Sequence, residues 1–422
     1  LDSAVEYARR RAAAPMKPFA KIAADAPAQV VVAEKDKHFQ PTEEPLSLGS
    51  FDDQVTLEID GLPALTVESY DVHTAVFTQP ASFAFVMGHG GRVRELLSLV
   101  KPRKPFVLRI GGVLVQTGRI DTIGAGGQSA IVNVAGRDTL QDLADSYTNA
   151  ERSFTEKTHL AFVNAVLAHG KFDATAMFTT EAVRRSMARG RPALPSSTTV
   201  EEKSLGASAI RMRLGDKYFD LIKRVLDRAG LFLYAAPSGR YMITAPNADI
   251  APLYRLVHAP NEGPANVLDF SFRNSTVGRA SEYIVYGRGG GKKAPTVKHR
   301  GSYVDPEMKD YGYKRVHTFR DWHVQTDAQA ELMARRKIAE SRRRDWQMSV
   351  TVAGHTTTET GTNNRVVWRP DTMVHFDSYQ LGLSDTCYIE DVRYRRSASG
   401  TTTELRLMRR EDLVFGYDEV DT

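Results

Sequence analysis

Apolar and polar residues alternate with a period of two through most of the chain after Phe51. Val55, Leu57 and Ile59 alternate with Thr56, Glu58 and Asp60, which predicts a half-buried strand ending at Asp60-Gly61. Phe83, Phe85 and Met87 repeat the pattern. Phe106, Leu108 and Ile110 lead into Gly111-Gly112, a pair able to take positive φ, and residues 113–120 return as the second arm of a hairpin. Gly124-Ala-Gly-Gly127 turns again into residues 130–135. Strands this short and closely spaced predict a small β-barrel or sandwich over residues 51–140.

A mixed stretch follows. Asp138 with Gln141 three residues on suits a helix start, with Leu140, Leu143 and Ala144 facing inward. Thr158 is placed to cap a helix whose Leu160, Val163 and Leu167 share a face and which Gly170 stops. Residues 174–210 are polar and irregular, which predicts a loop. Asp216 is expected to cap a helix with a wide apolar face of Tyr218, Phe219, Leu221, Ile222, Val225 and Leu226, closed by Gly230. A hairpin through Ser238-Gly239 follows. Residues 141–266 thus read as an α/β domain inserted between two strand-rich blocks.

Strand character resumes at 267–273 and 283–286, then gives way to a Gly/Lys loop at 287–293 and a long polar loop at 298–320. A helix is predicted at 327–344. Alternation returns at 346–352, 366–368, 373–376, 388–394 and 402–408, so residues 267–422 read as a second β-barrel. The two blocks share a rhythm. Gly118-Arg-Ile-Asp121, a glycine turn, a strand and Asp138-Thr-Leu140 match Tyr388-Ile-Glu-Asp391, Gly400, a strand and Glu411-Asp-Leu413. A duplicated barrel would produce this. The fold class expected is mainly β (α+β).

Residues 1–50 differ from the rest. Five prolines (Pro15, Pro18, Pro27, Pro41, Pro45) and few aromatics predict a short helix at about 2–14 and then an extended arm laid against a partner.

Composition narrows the function classes. At roughly 150 residues per domain, 422 residues make about three domains. No run approaches the ~18 consecutive apolar residues of a membrane span. The single cysteine, Cys387, allows no intramolecular disulfide and is expected to be a buried small hydrophobe, which fits assembly in a reducing cytoplasm. With 56 basic and 51 acidic residues, the net charge of +5 implies a mixed-charge surface rather than a nucleic-acid footprint.

Catalytic patterns fail one by one. Gly287-Arg-Gly-Gly-Gly-Lys-Lys293 lacks the first glycine of a phosphate loop, where Tyr286 stands, and the closing Ser or Thr, where Lys293 stands. His89-Gly-Gly-Arg resembles a hydrolase oxyanion loop, but no G-x-S-x-G elbow supplies its nucleophile. The 11 histidines form no H-E-x-x-H or H-x-H cluster. Glu201-Glu202 lies in polar loop sequence, where solvation outweighs acid–base work. No catalytic, metal or cofactor-binding residue is therefore assigned. The charge feature left is the helix at 327–344. Its Arg335, Arg336, Arg342 and Arg343 project on one side, with Ala330, Met333, Ala334 and Ile338 opposite. The plain expectation is an amphipathic helix docked on a barrel with its arginines in water. The sharper ones are salt bridges to a neighbouring subunit or a channel lining that meets DNA phosphates.

The second block carries a resemblance. A helix rich in Ala and Arg, a strand ending in Val352-Ala-Gly354, Trp368-Arg-Pro-Asp371, Val374-His-Phe-Asp377, Tyr388-Ile-Glu-Asp-Val392 and Gly400-Thr-Thr-Thr-Glu-Leu-Arg-Leu407 follow in order. This resembles the C-terminal half of the baseplate hub proteins of Mu-like phages, related to the late-control protein D group. Gly118-Arg-Ile-Asp121 and Val134-Ala-Gly-Arg-Asp138 resemble that family's first barrel. The resemblance covers about residues 51–415 and does not extend to the arm. It implies two similar barrels per chain and a homotrimer whose six barrels form a pseudo-sixfold ring. It also implies a structural, non-enzymatic role in the tail baseplate of a virion assembled in the host cytoplasm, joining the tail tube to the central spike. The arm would reach other baseplate components, and DNA would pass the channel. Two alternatives are the hub of a phage-derived injection particle or bacteriocin, and a hub-associated cell-wall hydrolase. A DNA-binding barrel is a third, but base-stacking aromatics among its basic residues are sparse.

Overall fold

The computed structural model describes residues 53–416 apart from 61, 63–64, 67–68, 78–79, 89–92, 127–130, 173–174, 191–209, 247, 259–264, 289–296, 379 and 398–399. The arm, His89-Gly-Gly-Arg92, Glu201-Glu202 and most of the Gly/Lys loop lie outside the described residues.

The first strand-rich block contains β1 (Val55–Ile59), β2 (Leu65–Thr66), β3 (Ser69–Ala75), β4 (Ser82–Gly88), α1 (Val93–Leu99), β5 (Pro105–Ile110), β6 (Val113–Gly126) and β7 (Ile131–Asp138). The middle of the chain adds α2 (Leu140–Asp145), β8 (Arg152–Phe154), α3 (His159–His169), β9 (Ala176–Phe178), α4 (Glu181–Ala188), β10 (Ile210–Met212), α5 (Tyr218–Ala229), β11 (Phe232–Ala235), β12 (Tyr241–Thr244) and β13 (Tyr254–His258). Then come β14 (Val267–Asn274), β15 (Glu282–Arg288), β16 (Val297–Val304), α6 (Pro306–Asp310), β17 (Val316–Asp321) and α7 (Asp327–Asp345). The last part is β18 (Trp346–Ala353), β19 (Thr356–Thr358), β20 (Arg365–Val367), β21 (Thr372–Ser378), β22 (Leu383–Ser397), β23 (Gly400–Arg409) and a 3-10 turn at Arg410–Asp412.

Strands from both ends of the chain make one 13-stranded sheet in the order β14-β18-β23-β22-β3-β4-β7-β6-β5-β1-β2, with β21 on β22 and β13 on β21. The join is β3 against β22, from Asp391 opposite Ala75 to Arg396 opposite Tyr70. β22 serves two neighbours along one edge: its first half pairs with β21 and its second half with β3. The change falls at Glu390, the extra residue of a β-bulge against β23. β6 has the same device, with Asp121 extra between Ile120 and Thr122 against β7. A bulge sharpens local twist and re-aims a strand. The two members of the sequence repeat therefore each hold a bulge, one position apart when Asp121 is aligned with Asp391, in long strands of 14 and 15 residues. Tight cross-strand packing explains one glycine of the motif. A Cβ on Gly136 would lie 2.5 Å from the Arg119 carbonyl oxygen and 2.8 Å from the Phe83 ring.

The apolar faces of these strands share one core, from Val55, Phe85 and Phe106 to Trp368, Tyr394 and Leu405. A second core lies among α2, α3 and α5, with Leu143, Phe162 and Ile222 fully buried. Ala280, Tyr283 and Val285 form a third beneath Ala330, Ala334 and Ile338 of α7.

Several expectations need correction. Residues 298–320 are not a loop: β16 and β17 flank β15 in a separate three-stranded sheet, with α6 between them in sequence. Residues 174–210 contain β9 and α4. β13, which precedes residue 266, pairs in parallel with β21 of the large sheet. Asp216 does not cap α5. Its Oδ2 accepts from the Arg213 amide at 2.8 Å, and Lys217 takes the cap position without a side-chain bond. In the two sheets a partner distant in sequence supplied what the local pattern lacked.

Candidate interaction surfaces

Helix α7 begins where Thr326 accepts from the Gln329 amide. Its small apolar face rests on the three-stranded sheet rather than on the large one. The four arginines do not form one solvent face. Arg335 is 46% exposed; it pairs with Glu331 at 2.8 Å and lies 4.7 Å over the Tyr303 ring. Arg336 donates to the Asp227 carbonyl of α5 at 2.9 Å. Arg342 is 12% exposed and pairs with Asp305 at 2.6 Å and with Asp412 at 3.6 Å. Arg343 donates to the carbonyls of Asp412 at 2.6 Å and Val414 at 3.1 Å, and stands 4.2 Å over the Phe415 ring. Burial lowers the Arg343 pKa to about 10. The expected basic face is thus divided: Arg342 and Arg343 turn inward, Arg342 held by the buried carboxylates of Asp305 and Asp412 and Arg343 by the carbonyls of Asp412 and Val414.

Asp305 is a node of that arrangement. It caps α6 through the Glu307 amide and receives Arg279, itself fully buried, at 2.8 Å. Burial by itself would raise the Asp305 pKa, but hydrogen bonds from Arg342 and Arg279 outweigh it and hold the carboxyl below its ordinary value. Charges this deep are tolerable only when paired and hydrogen-bonded.

A second node ties the middle of the chain to the large sheet. Asp371 takes a left-handed backbone, φ 62°, and is 1% exposed. It pairs with Arg184 of α4 at 3.0 Å and accepts from Thr244 at 2.8 Å and Tyr388 at 2.9 Å. Glu359, with its side chain fully buried, receives Arg185 at 3.2 Å and Arg189 at 2.8 Å from the same helix region. Sequence reasoning placed 174–210 in a loop and so missed these arginines. Their signal was present: Thr180 three residues before Val183 is a capping pattern, and its side chain does accept from the Val183 amide.

Two regions offer uncovered β structure. β14 ends the large sheet, with Phe272 42% exposed and Val277 just beyond it 78% exposed. On the three-stranded sheet, cross-strand register puts Ile284, Val304 and Val316 on the face opposite α7, with Arg300 and Arg320. Val304 and Val316 are 44% and 51% exposed. Exposed apolar residues on a sheet face and at a sheet edge are features of association surfaces.

Among the described residues no group of three or more His, Cys, Asp or Glu side chains is placed to hold a metal ion, and no helix is long and apolar enough to cross a membrane. Cys387 is buried, and burial pushes its thiol pKa up to about 12.

No family model and no curated protein matches the chain. Solved structures do. A tail protein of Neisseria meningitidis is 21% identical with a TM-score of 0.64, over 86% of this chain and 97% of that one. A tail protein of prophage MuSo2 from Shewanella oneidensis is 18% identical with a TM-score of 0.67, over 85% of this chain and 99% of that one. A prophage tail protein of Listeria monocytogenes is 11% identical with a TM-score of 0.50, over 84% and 94%. The structural neighbours of this chain are phage tail proteins, those of Mu-like prophages among them, and its mainly β fold is theirs.

Proposed function

We propose that this protein is a structural, non-enzymatic component of a phage-type tail: the baseplate hub, working as a homotrimer. In this reading each chain contributes two related β-barrels, 51–140 and the strands of 267–422, and six barrels form a ring. Such a ring seats a sixfold tail tube on one side and a threefold central spike on the other, in the virion's tail baseplate. The observation that carries the reading is the likeness to two tail proteins over nearly their whole lengths. Bulges one position apart in the aligned repeat, at Asp121 and Glu390, support a duplicated unit, since two copies of one hairpin would each keep a kink in the same stretch. The exposed edge at β14 and the free face of β15–β17 supply surface for copy–copy contact. Other baseplate components would meet the N-terminal arm, and of Arg335, Arg336, Arg342 and Arg343 it is the half-exposed Arg335 that would face a neighbour or passing DNA.

Mass in solution tests the trimer. Light scattering or native mass spectrometry should give three copies. A monomer at every concentration, or turnover of peptidoglycan that depends on one residue of this chain, would overturn the reading.

A further inference from the structure

The large sheet contains one run of strands twice. β3-β4-β7-β6-β5-β1 and β14-β18-β23-β22-β21-β13 follow the same order of neighbours. They differ in one direction: β13 lies parallel to β21, where β1 lies antiparallel to β5. Register aligns the two runs residue by residue. Ile120 and Ile389 stand opposite Gly136 and Leu407, and Ile123 and Val392 opposite Val134 and Leu405, with the extra residue of a bulge between them in each. Gly136 and Val134 face Phe83 and Phe85, as Leu407 and Leu405 face Met348 and Val350. Phe85 and Phe83 face Tyr70 and Val72, as Val350 and Met348 face Phe270 and Phe272. By this alignment β14 is the counterpart of β3, and β6 the counterpart of β22.

The two runs are joined within the chain by β3 and the second half of β22, where Thr74 stands opposite Val392 and Val72 opposite Tyr394. That join buries Val72 fully and leaves Tyr70 5% exposed. The counterparts of both edges are open. β5 releases β6 after the paired backbone bonds at Ile120, and β6 runs on to Gly126. Among the described residues no strand pairs with that edge of β6 beyond Ile120, nor with the outer edge of β14. Phe272, the counterpart of Val72, is 42% exposed. On β6, Ile123 is half-buried and Ala125 is exposed, where their counterparts Val392 and Tyr394 are buried. A Cβ on Gly124 or Gly126 would meet nothing within 4 Å. Open edges carry unpaired amides and carbonyls that a further strand can satisfy.

We propose that β14 of one copy pairs antiparallel with the second half of β6 of the next copy, repeating between chains the join that β3 and β22 make within one. The internal register carries over and sets Asn274 opposite Ile123 and Phe272 opposite Ala125, a large side chain beside a small one. The contact is head-to-tail, since each chain offers one edge of each kind, and such contacts close into rings. This deepens the hub reading and rests on it for the number of copies: a ring of three has six joins, three inside chains and three between them.

Paired cysteines test the register. Opposite residues of an antiparallel pair have Cα atoms about 4.5–5.5 Å apart, within the reach of a disulfide. Full-length protein carrying A125C and F272C, oxidised with diamide, should run as a covalent trimer on a non-reducing denaturing gel. A125C alone and F272C alone should not, because the remaining Cys387 is buried. A natural chain of three copies by light scattering, with no cross-link specific to the double variant, overturns this interface and leaves the hub reading standing. A ladder that runs past three chains supports the strand pairing and overturns the threefold ring. A monomer at every concentration overturns both. A125E, a change at an exposed position, gives a second measure: it should raise the concentration at which the assembly dissociates ten-fold or more, and unchanged dissociation overturns the proposal.

Discussion

Arg184 and Asp371 stand 187 positions apart in sequence, and their side chains meet at 3.0 Å with 6% and 1% exposure. Nη2 of the arginine also donates to Thr244 at 2.6 Å, so one guanidinium binds both a strand of its own α/β region and the turn that opens β21. Breaking such a pair leaves a buried charge without its partner, at about 3–5 kcal/mol. R184M and D371L should each destabilise by this order in urea unfolding followed by tryptophan fluorescence. The double variant should lose less than the sum by about 1–3 kcal/mol. Additive losses would mean that the two residues act independently.

Two buried titratable groups give opposite pH dependences. Burial raises Asp138 to about 7, against the opposing hydrogen bonds from the Ala81 and Leu140 amides. Between its ordinary value and about 7 the folded state binds the extra proton, so this group's contribution is lost as pH rises through 7. Burial lowers His355 to about 4, between the hydroxyls of Tyr70 at 2.7 Å and Thr403 at 2.8 Å. Here the unfolded state binds the proton, so its contribution is present above pH 6.5 and is lost as pH falls toward 4. In this window the two terms oppose each other. D138N should show stability falling from pH 6.5 to 4, and H355Q should show it rising over the same range, by up to ~1.4 kcal/mol per pH unit. Melting temperatures across pH 4–7 check both signs.

The arginines of α7 should separate by depth. R335A removes one half-exposed pair and should change stability by no more than ~0.5 kcal/mol. R342A removes a charge-assisted bond from buried Asp305, which keeps Arg279, and should cost about 2–3 kcal/mol. Equal effects would contradict the division of the helix described above.

At the β6–β7 crossing, G136V should be strongly destabilising, by about 3 kcal/mol or more, because its Cβ would meet backbone on the neighbouring strand rather than a side chain that can move. A shift of the urea midpoint measures it. Little change would mean that the hairpin can open at that point without loss.

Much of the strand pattern was legible because burial on one face imposes period two locally. β1, β4, β5 and β18 lie where alternation put them, and the helices at Tyr218–Ala229 and Asp327–Asp345 follow their apolar stripes. The repeat of Gly118-Arg-Ile-Asp121 in Tyr388-Ile-Glu-Asp391 was also visible, and in the structure both segments carry the bulge. β3 was not found. Tyr70, Val72 and Thr74 do alternate inward, but Ser69, Asp71 and His73 make the stretch look like a polar connection. Asp71 and His73 are accounted for by β22, where Arg393 holds Asp71 at 2.6 Å and Asp391 holds His73 at 2.6 Å. The arginines of α7 failed for a related reason. Sequence records that a residue is basic and on which side of a helix it falls. Which of them turns inward depends on where chain folding brings Asp305 and Asp412, and charge pairing over such separations leaves no local period. Thus the amino-acid pattern by itself determined those elements whose apolar residues repeat locally, and their inward face, while tertiary structure alone decided that two distant blocks share one sheet and which charges are buried between them.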